Sequence, residues 1–123
     1  MSPAAAIRAE ALEFVEQIRS VPADELVGGL GYLAARSPTV RRVGLEMTDR
    51  HADAIARALM DTTGVAIPAQ AKVHAIALAW VFQTITDETG RRSLDGQTPA
   101  RIADELGPIV AGTVDDLDRW PLG

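Results

Sequence analysis

The chain has 123 residues, room for one domain and too few for two ordinary ones. At 47% hydrophobic and 24% charged residues it should fold, and aromatics at 4% leave the core to Ala, Leu, Ile and Val. A formal charge of −5 argues against gripping nucleic acid unaided, and the lack of cysteine excludes disulfides, thiolate zinc sites and cysteine nucleophiles.

Proline punctuates the sequence. Ser2-Pro3, Val21-Pro22, Ser37-Pro38, Ile67-Pro68 and Thr98-Pro99 each precede a run with helical periodicity. Proline suits a first helical turn because its missing N–H would find no partner there. Ser2, Ser37 and Thr98 are candidate N-caps. The first helix is predicted from Pro3 to Arg19, with Ile7, Ala11, Phe14, Val15 and Ile18 on one face. The second is predicted from Pro22 to Arg36 on Leu26, Leu30 and Leu33. Its Gly28, Gly29 and Gly31 each weaken it by about 1 kcal/mol relative to Ala.

The third helix is predicted from Pro38 to Thr62. It gathers Val40, Val43, Met47, His51, Ala54 and Ala58 on one face, so His51 falls inside an apolar stripe. There it is either a core histidine with one hydrogen-bond partner or a polar group on the wall of a cavity. The fourth helix is predicted from Pro68 to Thr89, with Gly64 and Gly90 as helix stops. Its apolar residues form two arcs about 150° apart on a helical projection, Val73/Ile76/Ala77/Trp80 and Leu78/Val81/Phe82/Ile85. A helix apolar nearly all round is buried nearly all round.

The fifth helix is predicted from Pro99 to Asp118, with Pro108 kinking or breaking it near Glu105 to Gly107. Its apolar arc is also wide. The expected architecture is all-α, one domain over 1–123, with about five helices in an antiparallel bundle and 1–20 as a linking helix. Two wide-faced helices from each of two chains would build a four-helix dimer interface with two-fold symmetry. Its candidate residues are Leu78, Val81, Phe82, Ile85, Ile102, Leu106, Ile109, Val110 and Val114. Periodicity leaves open which arc of the fourth helix meets the mate.

Catalytic patterns are missing. His51 and His74 lie on different helices, with no HExxH pair and no ExxH. Ser37 and Ser93 carry no nucleophile motif, and no strand precedes the glycines at 28–31. No enzyme, metal or cofactor is expected. No basic leader with an apolar run is visible, and no apolar run approaches the ~20 residues of a membrane helix. A cytoplasmic location is the default expectation.

The wording SPTVRRVGLEMTDRHADAIARALMDTTG, then AQAKVHAIALAWVFQTITDETG, then TPARIADELGPIVAGTVDDL resembles the C-terminal regulatory domain of TetR-family transcriptional regulators. The resemblance spans about Ala9 to Leu117. It implies an all-α domain that binds a small apolar or amphipathic ligand between helices and dimerises through its last two long helices. Such regulators carry a helix-turn-helix domain ahead of this one. Here none is expected, so DNA would be reached only through a domain not present in this chain. By their helix faces, Phe14, Tyr32, Met47, His51, Trp80, Gln83 and Thr84 are the candidate ligand-binding residues. The alternative expectation is a standalone interaction protein that pairs with itself or a full-length relative and needs no ligand.

Overall fold

A computed structural model of the chain describes residues 2–27, 29–63 and 68–120. Six helices occupy the described residues, and no strand occurs among them. They are α1 (Pro3–Arg19), α2 (Ala23–Val27), α3 (Leu30–Arg36), α4 (Pro38–Thr63), α5 (Pro68–Leu94) and α6 (Pro99–Asp118).

The predicted starts are where the caps put them. The Ser2 hydroxyl accepts from the Ala5 N–H at 3.1 Å, Ser37 from Val40 at 3.3 Å and Thr98 from Arg101 at 3.2 Å. Each cap supplies an acceptor for an N–H that the helix leaves unpaired. The predicted second helix is two short ones. The break falls at the glycines, and Gly29 is extended (φ −75°, ψ 168°) as the N-cap of α3. The accumulated cost of glycine in a helix makes this the weakest place to continue one.

Two expected terminators behave otherwise. Gly90 lies inside α5, which runs on to Leu94, and the turn is made by Gly96 at φ 82°, a value L side chains avoid. Gly64, the other expected stop, lies outside the described residues. Helix α6 runs unbroken through Pro108, whose ring meets the exposed side of the helix.

Ion pairs and ring contacts fix the directions. Arg8 meets Asp115 at 2.9 Å and Arg19 meets Asp104 at 2.7 Å, so α1 and α6 are antiparallel. Arg41 pairs with Asp87 at 3.1 Å and Lys72 pairs with Asp53, so α4 and α5 are antiparallel. Arg92 pairs with Glu105 while His74 touches Trp120, so α5 and α6 are antiparallel too.

Helix α5 is the axis of the bundle, packed by α1, α2, α3, α4 and α6. Its small Ala71, Ala75 and Ala79, spaced four apart, are fully buried and let neighbours approach closely. Leu78, Val81 and Ile85 add larger buried side chains, in one core with Ile102, Leu106 and Val114 of α6 and Val15 of α1. This explains the two arcs. The Leu78/Val81/Ile85 arc is covered by the chain itself. Val73, Ile76 and Trp80 form the arc that stays outside, 60%, 37% and 39% exposed.

Candidate functional site

Helices α1, α4 and α5, with the end of α3, enclose a cleft of about 360 Å³ that opens to solvent. Its apolar wall is Phe14, Ala34, Val40, Met47, Ala79 and Phe82. Phe14 and Phe82 meet edge to face with ring centres 6.4 Å apart, a favoured arrangement for aromatic quadrupoles. His51 also packs on Phe82, with ring centres 5.3 Å apart. Helix α4 presents Gly44 to the cleft. A Cβ on Gly44 would find only Gln83 Oε1, at 3.8 Å.

A chain of polar groups closes one side of the cleft. The Thr48 hydroxyl lies 3.0 Å from Gly44 O and 2.8 Å from Gln83 Oε1, and donates its one proton between them. Gln83 Nε2 donates to Asp87 Oδ1 at 3.0 Å, and Arg41 Nη1 pairs with the same oxygen at 3.1 Å. Thr48 and Gln83 are buried, so these bonds offset the cost of removing both from water. Arg41 and Thr86 complete the lining.

Of the seven nominated ligand-binding residues, Phe14, Met47, His51 and Gln83 line this one cleft. His51 is exposed at its edge and not sunk in a core. Tyr32 lies on α3, where its hydroxyl accepts from Arg36 at 2.9 Å, and it is not part of the lining. Trp80 and Thr84 sit on another face of α5, where with Ile109 and Thr113 of α6 they border a shallow groove of about 250 Å³. Arg41, Thr48 and Thr86 were missed. Arg41 reads in sequence as half of an exposed Arg pair, and a threonine on a helix signals nothing until its neighbour is known.

The nine nominated interface residues divide as well. Leu78, Val81, Ile85, Ile102, Leu106, Val110 and Val114 are buried within a single chain and have almost no surface left for a partner. Phe82 is partly buried and turns toward the cleft. Ile109, 55% exposed, is the one on the surface, near Trp80.

The core histidine is His74, not His51. It is buried, its Nδ1 has no hydrogen-bond partner among the described residues, and Trp120 packs against it with ring centres 5.8 Å apart. Burial pushes its pKa below the ordinary histidine value, and the Asp118 carboxylate opposes that only in part. No cluster of three metal-ligating side chains occurs among the described residues. No described helix is long and apolar enough to cross a membrane.

Fold and site together define an all-α bundle with a solvent-open, mostly apolar cleft and an exposed apolar stripe on its last two helices. No protein-family model matches the chain, and no curated protein or solved structure matches it either.

Proposed function

We propose that the chain is a small-molecule-sensing, dimer-forming regulatory domain of the TetR type. It takes a small apolar or amphipathic molecule in the cleft, and it reaches DNA only through a helix-turn-helix domain that is not among these residues. The observation that carries this reading is the cleft, with apolar walls, a few placed polar groups and a volume of about 360 Å³. Ligand sites have that character and range from about 300 to 1,000 Å³. The resemblance in sequence supports it independently.

The test is a titration of the ¹⁵N-labelled chain with decanol, followed by amide shifts. Shifts gathered on residues around Met47, His51 and Gln83, and abolished in Gly44→Leu, are expected, because the leucine side chain fills the cleft. Shifts spread over the surface, or unchanged in Gly44→Leu, would remove the cleft as a binding site.

A second reading is an interaction protein that pairs without a ligand. It draws on the exposed stripe of Val73, Ile76, Trp80 and Ile109, apolar surface that a solitary chain has no reason to keep together. A chain that self-associates through this stripe while its cleft rejects every apolar probe would favour it.

A further inference from the structure

We propose that the cleft selects an amphiphile with a carboxylate head, the head on Arg41 and the apolar body between Phe14, Met47 and Phe82. The inference rests on the reading of the cleft as a ligand site and goes further by naming the ligand's chemical class.

It follows from which hydrogen-bonding capacity is left over. Asp87 can only accept, so Gln83 must turn its Nε2 toward Asp87 and its Oε1 toward the Thr48 hydroxyl. That engages the Gln83 carbonyl once, leaving one lone pair on Oε1 and the second N–H of Nε2. Arg41 is 46% exposed and is engaged through Nη1 with Asp87 alone among the described residues. A guanidinium has five N–H groups in a planar fork, so most of its donors remain. The one carboxylate nearby, Asp87, is three-quarters covered and already holds both Arg41 and Gln83. It does not line the cleft.

The uncommitted capacity is therefore weighted toward donors. The Thr86 hydroxyl and the His51 ring can serve either way, and no unengaged anion faces the space. A cationic head would find only neutral acceptors beside a guanidinium. A neutral alcohol could accept one N–H but could not match the fork with a second oxygen or a charge. A carboxylate matches the fork and gains charge-assisted bonds where water is partly excluded. The chain's net charge of −5 works against any anion at long range, so the preference must come from contact at Arg41 and not from the general field.

Calorimetric titration of the full chain with decanoate, decanol and decylamine tests this. Decanoate is expected to bind about tenfold more tightly than decanol, with decylamine weakest. Arg41→Met should bring decanoate down to about the level of decanol while weakening decanol far less. Asp87→Asn removes the competing anion and should tighten decanoate several-fold without moving decanol. Circular dichroism melting checks that both variants fold. Should either fail, the ranking of the three probes on the parent chain still decides. Equal binding of decanoate and decanol, or undiminished decanoate binding by Arg41→Met, overturns the carboxylate assignment and leaves the cleft reading intact. Binding of none of the three overturns both.

Discussion

Gly31 of α3 and Gly90 of α5 meet backbone to backbone. A Cβ added to Gly90 would overlap the Gly31 carbonyl and lie 2.9 Å from the Tyr32 nitrogen. A Cβ on Gly31 would in turn overlap the Thr86 carbonyl and sit 3.2 Å from the Gly90 nitrogen. Neither obstacle is a side chain that could swing aside. The crossing of these helices is set by the absence of two methyl groups.

Gly90→Ala should accordingly destabilise the chain although alanine is the better helix former. The propensity gain is about 1 kcal/mol, and overpacking against backbone costs about 3 kcal/mol or more. Gly112, on α6, is the control. A Cβ there meets nothing within 4 Å, so Gly112→Ala should stabilise by up to about 1 kcal/mol. Urea unfolding of both variants measures the contrast. Equal effects would contradict the close crossing.

His74 makes stability depend on pH in a window separate from that of the carboxylates. Its folded pKa is depressed by burial, while the unfolded chain takes up a proton near about 6.5. The unfolded state binds more protons below that value, so stability is full above it and falls as pH drops through it toward the folded pKa. Glu88, held down by its hydrogen bond to Arg91, and Asp53, held down by Lys72, act only at lower pH, below about 4.5. The melting temperature should therefore fall as pH drops below about 6.5, and His74→Leu should remove most of that first fall. A variant with an unchanged slope would place the titrating group elsewhere.

Leu78 and Trp80 are near neighbours on α5 and should respond oppositely. Leu78 is fully buried, so Leu78→Ala should cost about 2–5 kcal/mol through lost burial and the cavity left behind. Trp80 is 39% exposed on the outer stripe. Trp80→Glu, with Ile109→Glu as a companion, should lower the melting temperature less than Leu78→Ala and, on the dimer proposal, shift sedimentation from dimer to monomer at micromolar concentration. A parent chain that sediments as a monomer under those conditions would remove the dimer from the proposal.

The polar chain on the cleft wall gives a further test. Gln83→Leu leaves the Thr48 hydroxyl with Gly44 O alone and takes one donor from Asp87. The expected loss is about 1–2 kcal/mol, read from chemical unfolding. Thr48→Val with Gln83→Leu should cost less than the two single changes summed, because the pair acts as a unit.

Helix existence was legible because its signals are local. Serine, threonine and proline mark starts, and periodicity marks faces, so α1 and α6 have their predicted bounds. What sequence could not supply is which neighbour stands on which face. Helix α5 is apolar around most of its circumference, and the expectation drawn from that was a second subunit against one arc. Five other helices of the same chain account for most of the burial. The arc left outside is therefore the one headed by Val73, and the face given to a partner is mainly core. The cleft followed the same logic. Phe14, Met47, His51 and Gln83 came from periodicity, whereas Arg41 and Thr86 matter only because separate helices bring them to one space.

The alanine row of α5 ends at Ala79, where the closely packed interior passes into the cleft. Ala71 and Ala75, one and two turns back, lie in the core. Ala79 is thus a small side chain where the core borders the cleft, on a helix packed by five others. If the cleft holds the amphiphile proposed above, a larger side chain at position 79 should shorten the body it admits. On the carboxylate-amphiphile proposal, chain length and head group would then answer to different residues, Ala79 and Arg41.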